Sequence, residues 1–261
     1  MINATDNIIT TYAGTGMNNY TGDGGPATLA ELGKPNVLAL DGQGNLYIGT
    51  SQHTVRKVTA NTGIITTFAG QGGIFGDTGD AGLAINATFN TVIGLAFSPD
   101  YTNLYVSDKV SHRIRVINMT SMLIYTVAGN GISGKSGDGG VAYNATISRA
   151  YGLHVDMTNK LYFCDSLNHV VRMVDRVSEI ITRIAGNYTA GFLGDTGDNI
   201  TAINALFNTP TDIKISRGTG NMFIVDGNNN RIRMIDGMTH YVSTVAGGNT
   251  SEFYGDGGFA N

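Results

Sequence analysis

Five copies of one short phrase constrain this chain more than any other feature. Ile-Thr-Thr-Tyr-Ala-Gly14 returns as Ile-Thr-Thr-Phe-Ala-Gly70, Tyr-Thr-Val-Ala-Gly129, Ile-Thr-Arg-Ile-Ala-Gly186 and Ser-Thr-Val-Ala-Gly247, so the closing glycines fall 56, 59, 57 and 61 residues apart. Each is followed by a Gly-Asp phrase: Gly22-Asp23, Gly76-Asp77, Gly137-Asp138, Gly194-Asp195 and Gly255-Asp256. After the first four comes Ala-x-x-Ala-x-apolar, ending on Leu32, Phe89, Ile147 or Phe207. Landmarks in one order at a near-constant period mean a repeat architecture, in which each unit leaves apolar faces that only its neighbours cover.

Inside each unit the apolar pattern gives four short strands. The first covers Val37–Leu40, Gly94–Phe97, Gly152–Val155 and Asp212–Ile215. The second is Leu46-Tyr-Ile, Leu104-Tyr-Val, Leu161-Tyr-Phe and Met222-Phe-Ile, and the third is Val55–Val58, Ile114–Ile117, Val171–Val174 and Ile232–Ile235. The fourth ends in Ala-Gly. Four antiparallel strands per unit make a propeller blade, so the expected fold is an all-β propeller with about four blades. The units run 15–70, 71–129, 130–186 and 187–247, with partial units at 1–14 and 248–261, in a single region spanning 1–261. Two arrangements fit: a segment of a larger, six-bladed ring, or closure on four blades.

Composition agrees and excludes several functions. Glycine is frequent (37 of 261 residues) and proline scarce (4), as tight turns between many strands require. The net charge of −4 disfavours a phosphate-tracking surface, so nucleic acid is not the expected partner. No apolar stretch is long enough to span a membrane as a helix. Cys164 is the sole cysteine and forms no metal-site spacing. Eight Asn-X-Ser/Thr sequons, at Asn3, Asn19, Asn86, Asn118, Asn144, Asn187, Asn199 and Asn249, lean toward an extracellular or cell-surface glycoprotein.

Gly-Asp-Gly-Gly-Pro-Ala (22–27), Leu38-x-Leu40-Asp41, Gly-Asn-Leu-Tyr-Ile (44–48) and Val-Arg-Lys-Val (55–58) together resemble the NHL repeat. The long Gly-Asp version is similar to NHL modules of large extracellular and bacterial surface proteins, teneurins among them. The resemblance implies the propeller fold, but its function stays open between binding scaffolds and a few enzymes.

Residues at repeated slots suggest architecture. Arg56, Arg115, Arg172 and Arg233 occupy one third-strand position, which points to a repeated buried ion pair with an Asp such as Asp108, Asp165 or Asp226. Gly70, Gly129 and Gly186 close the fourth strand. The Gly-Asp loops are expected on one rim beside the second-to-third-strand hairpins. Asp77, Asp80, Asp195 and Asp198 there, with hairpin residues His112 and His169, are the rim-binding candidates for protein or carbohydrate. Paired carboxylates raise calcium as a ligand, although a calcium loop carries denser Asp spacing, and Asp in a glycine turn also bonds its own backbone. His53, His112 and His169 share a slot that Asn230 fills in the fourth unit.

Repeat-breaking residues point elsewhere. The first-strand slot of Ala39 and Ala96 holds His154 and Lys214, the candidates for acid–base and anion-binding roles nearest the axis. A non-enzymatic interaction scaffold is the leading expectation. A metal-dependent propeller enzyme resembling amidating lyases or lactonases is the alternative, and an RNA-binding NHL module comes last.

Overall fold

A computed structural model describes residues 8–191 and 198–248. Asp195, the sequons at Asn3 and Asn249, and Gly255-Asp256 lie outside them. Sixteen strands among the described residues form four separate four-stranded antiparallel sheets, each in simple sequential order. The first blade is β1 (Pro35–Leu40), β2 (Leu46–Thr50), β3 (Thr54–Val58) and β4 (Ile65–Gly70). The second is β5 (Val92–Phe97), β6 (Asn103–Asp108), β7 (Arg113–Asn118) and β8 (Ile124–Ala128). The third comprises β9 (Ala150–Val155), β10 (Leu161–Asp165), β11 (Val170–Val174) and β12 (Ile181–Ala185). The fourth comprises β13 (Pro210–Ile215), β14 (Met222–Asp226), β15 (Arg231–Ile235) and β16 (Val242–Ala246).

Blades pack face to face. One apolar cluster joins Tyr47 and Val55 of the first blade to Leu95 and Leu104 of the second, and matching clusters join the second to the third and the third to the fourth. Inner strands pack in sequence, β1 on β5, β5 on β9 and β9 on β13, but β13 makes no comparable packing with β1. The four blades therefore form an open arc, and closure on four blades is not the arrangement observed. Leu38 and Leu40 of β1 remain 61% and 59% exposed on the outer face of the first blade, while Val37 and Ala39 pack inward toward the second. A period of two along the strand explains the split.

The Gly-Asp segment does not simply lie on the rim. It leaves the rim and runs along the outer edge of its blade, where Pro26, Leu83, Val141 and Thr201 bridge Ile64, Leu123, Ile180 and Tyr241. Backbone bonds such as Gly24 N–H to Ile65 O (2.8 Å) and Gly139 N–H to Ile181 O (2.8 Å) cover the exposed edge of the fourth strand. The physical cause is that edge strand, whose free N–H and C=O groups need partners.

The conserved geometry also shifts one landmark. Gly22, Gly79 and Gly137 are the equivalent positive-φ residues, each with a hypothetical Cβ against Ala30, Ala87 or Ala145 of the same loop. The structural counterpart of Gly22-Asp23 is thus Gly79-Asp80, not Gly76-Asp77. The repeat phrase is Ser/Thr-Gly-Asp: Thr21-Gly-Asp23, Thr78-Gly-Asp80, Ser136-Gly-Asp138 and Thr196-Gly-Asp198.

That Asp meets the repeated Arg. Arg56, Arg115, Arg172 and Arg233 are fully buried and pair with Asp23 (2.6 Å), Asp80 (2.5 Å), Asp138 (2.9 Å) and Asp198 (2.7 Å). The guanidinium also donates to loop carbonyls: Arg115 reaches Thr88 O and Thr78 O, and Arg172 reaches Thr146 O and Ser136 O. The second oxygen of Asp23 and of Asp80 accepts the N–H of Thr67 or Thr126 in the fourth strand. One carboxylate therefore ties the loop to two strands, and it is not bonded within its own turn as a simple Asp-turn would be. In the third and fourth blades the expected hairpin carboxylate adds a second bond, Asp165 to Arg172 and Asp226 to Arg233, both at 3.3 Å. Asp108 instead accepts the N–H groups of Asn90 and Thr91.

The hairpin histidines bond across blades. His53 Nδ1 meets Asn90 O at 2.5 Å, whereas Nδ1 of His112 and of His169 accepts the N–H of Arg149 (3.3 Å) and Thr209 (3.1 Å). Each sits in left-handed conformation, as does Asn230 in the same slot. Gly70, Gly129 and Gly186 are also at positive φ, and a Cβ there would strike the carbonyl of His53, His112 or His169.

Two outcomes follow from these contacts. Asp80→Ala leaves Arg115 buried with no carboxylate and should destabilise by roughly 2–4 kcal/mol. Asp138→Ala leaves Arg172 bonded to Asp165 and should cost about half as much. Urea unfolding of the two variants checks this, and equal losses would show that Asp165 does not compensate. The second outcome concerns pH. Burial, then Arg149, lowers the pKa of His112, and burial lowers that of His169. Their contribution to stability is complete above the unfolded value of about 6.5 and is lost as pH falls toward the folded values. Asp165, raised by burial to about 6, works oppositely, gaining stability as pH falls below that value. A His112→Asn/His169→Asn double variant isolates the histidines. Its melting temperature should fall less between pH 7 and 5.5 than that of the unaltered chain, and parallel curves would refute the assignment.

Candidate functional site

The four inner strands leave a groove along the axis, because each contributes one exposed edge there. Glycine lets them approach closely: a Cβ at Gly94 would meet the carbonyl of Tyr151 and the side chain of Leu153, and one at Gly152 would run into Asp212. The groove encloses about 630 Å³ and is lined by residues of β1, β5, β9 and β13 together with the turn residues Tyr101 and Arg217.

His154 and Lys214 both line it, as expected of residues in an inner-strand slot. His154 is half-buried between the third and fourth blades. Burial lowers its pKa first and the charge of Lys214 second, so the neutral ring is favoured. No hydrogen bond to the ring is found among the described residues. Lys214 is exposed and donates to Asp212 Oδ1 (2.8 Å) and to Ile213 O (3.1 Å). Chemically this is an imidazole beside two cations, Lys214 and Arg217, and two carboxylates, Asp156 and Asp212. No carboxylate is hydrogen-bonded to the ring to orient it, as an acid–base pair would need. Cys164 is fully buried, and that burial raises its pKa well above the ordinary value, so it is no nucleophile here.

The rim candidates divide. Asp80 and Asp198 are held by Arg115 and Arg233 on the outer edge of the blades, and Asp77 pairs with Arg113 at 3.3 Å. Carboxylates facing guanidinium groups do not fit a calcium ion, which seeks six to eight oxygens. His112 and His169 use Nδ1 between blades, as described above. Among the described residues, no group of three or more His, Cys, Asp or Glu side chains has metal-binding proximity.

Several site residues escaped the sequence reading. Arg217, Asp212 and Tyr151 line the groove, and the ammonium of Lys109 lies 4.9 Å from the centre of the Tyr151 ring. On the rim, Tyr20 covers Gly72 and Gly73 of the next loop, and Phe75 lies beside His53 with ring centres 6.3 Å apart. A signal for Arg217 was present: it fills a first-turn slot that holds Gly42, Pro99 and Met157 elsewhere.

No protein-family model matches the chain. It is similar to human NHL repeat-containing protein 2, at 28% identity over 162 residues, which is 59% of this chain and 21% of that protein. It is also similar to human Teneurin-1, at 25% identity over 255 residues, covering 88% of this chain and 9% of that protein. The chain thus spans about a fifth or less of the length of these relatives. Among solved structures it resembles an auxiliary nutrient binding protein from Bacteroides thetaiotaomicron, with a TM-score of 0.57 and 19% identity over 77% of this chain and 46% of that one. A gluconolactonase from Xanthomonas campestris aligns with a TM-score of 0.51 and 15% identity over 87% of this chain and 60% of that one. At such identity the structures bear on fold alone. Repeat landmarks, four-stranded blades and NHL-containing relatives agree: the chain is a β-propeller of four-stranded blades similar to those of NHL-repeat proteins.

Proposed function

We propose that this propeller is a non-enzymatic interaction scaffold that binds protein or carbohydrate through the rim formed by its second-to-third-strand hairpins and the starts of its Gly-Asp loops. One observation carries the reading. Tyr20, Ile74 and Phe75 stand 43%, 51% and 75% exposed on that rim, with Tyr20 packed over the glycines that precede Ile74. Large apolar side chains held in water on ordered loops mark a contact surface more than a structural one, since they add nothing to the core. The repeated charged residues, by contrast, are engaged within the blades. The exposed sequon residues Asn86 and Asn144 support an extracellular or cell-surface setting.

A second reading, a propeller hydrolase of the lactonase kind, rests on His154 and Lys214 lining the axis. A glycan microarray and an array of purified extracellular domains, probed with the same chain, separate the two. Under the scaffold reading, Tyr20→Ser/Phe75→Ser weakens the hits at least tenfold, while Val177→Ser/Met238→Ser on the opposite rim leaves them intact. Hits indifferent to the first pair, or lactone turnover abolished by His154→Ala, would overturn it.

A further inference from the structure

Lys214 and His154 replace alanine at one inner-strand slot, and Arg217 replaces a small or apolar residue in the adjoining turn. All three face the same groove. From this convergence we infer that the axial groove between the third and fourth blades binds a small organic monoanion by its carboxylate, at a site separate from the rim.

The donors are in place and largely uncommitted. Arg217 makes no hydrogen bond or ion pair among the described residues, and neither does the His154 ring. Lys214 is 62% exposed and uses Asp212 and one carbonyl, leaving donor capacity for a further acceptor. Arg217 supplies the planar fork that matches a carboxylate with two parallel bonds.

Charge selects the class. Within the lining, Lys214 and Arg217 contribute two positive charges and Asp212 one negative, and the neutral form of His154 is favoured. Asp156 stands near His154, but its oxygens accept from Thr158, Lys160 and Tyr162 and so bind into their own turn. The lining alone carries one net positive charge, and the nearby carboxylate of Asp156 offsets it, so the site suits a monoanion rather than a phosphate dianion. Size selects an organic body. The groove along the four inner strands, about 630 Å³ in all, far exceeds an inorganic ion, and Ala96, Phe97 and Tyr151 give the remainder an apolar wall. Tyr151 carries a ring face suited to a sugar or another compact ring, with Lys109 already above it at 4.9 Å. A protein of net charge −4 that collects cations here has a local field opposite to its overall charge.

Titration calorimetry of the chain with sodium D-glucuronate, beside D-glucose and inorganic phosphate, tests this. Glucuronate should bind in the millimolar range or tighter, glucose at least tenfold more weakly, and 0.5 M sodium chloride should weaken the glucuronate signal. Lys214→Gln and Arg217→Gln, both at exposed positions and checked for an unchanged melting temperature, should each reduce affinity about tenfold, while Lys160→Gln should not. Absence of glucuronate binding, equal binding of glucose, tighter binding of phosphate, or affinity unmoved by both groove variants would each overturn the proposal. None of these results depends on Tyr20 or Phe75, so the rim reading stands or falls separately.

Discussion

Everything regular in this molecule hangs on a carboxylate held against a buried guanidinium. An arginine in the third strand of a blade lies beneath the fourth strand, and the Ser/Thr-Gly-Asp segment lies beyond that strand's edge. The aspartate reaches past the edge to Arg56, Arg115, Arg172 or Arg233. Removing a guanidinium from water is expensive, and the loss is offset only if nearly every donor finds an acceptor. Loop carbonyls take further Nη donors, while Nε of Arg56 and of Arg115 stays without a partner among the described residues. The loop thus has to follow one path, and the positive-φ glycine before the aspartate is what lets it do so. The clasp fixes where the next inner strand begins.

Between blades the joints are of a different kind. Apolar faces provide the attraction, but an attraction proportional to area does not set register. Hairpin residues do that. A left-handed His points its Nδ1 at backbone just ahead of the next inner strand, and the Ala-Gly turn closes on the hairpin carbonyl so tightly that no side chain fits. Inter-blade position is therefore set by a few short polar contacts laid over a permissive apolar surface. Those joints must also keep neutral imidazole at His112 and His169, because a protonated Nδ1 would face an N–H donor.

Much of this was legible in the chain itself. Strand alternation such as Leu104-Tyr-Val and the recurring Ala-Gly mark blades because periodicity reports directly on which face is buried. The arginine pairing was foreseen as a kind of contact, and Asp165 and Asp226 take part in it. Its main partner is ambiguous in the sequence because Gly76-Asp77 and Gly79-Asp80 are both Gly-Asp. Only the positive φ of Gly79 and its contact with Ala87 distinguish them. Loop path depends on edge-strand hydrogen bonding, which no local pattern records. Tyr20 and Phe75 were illegible for a similar reason: they meet their neighbours across units, 52 residues apart in the case of Tyr20 and Gly72.

A repeat also sorts its own residues by function. A side chain present in every blade has to satisfy a condition every blade shares, and the clasp and the hairpin joint account for the recurring Arg, Asp and His. Departures from the repeat answer to no such condition. His154, Lys214 and Arg217 depart within 64 residues of one another in sequence, and the fold brings all three to one groove. Burial first and the charge of Lys214 second hold His154 neutral, and Lys214 and Arg217 carry like charge. Packing requires none of them, since alanine fills the slot of His154 and Lys214 in the first two blades, and Gly42, Pro99 and Met157 fill that of Arg217 in the others. Polar donors gathered where architecture makes no demand, with Lys214 only partly engaged by Asp212, have capacity for a further acceptor, and the groove is open for one to enter.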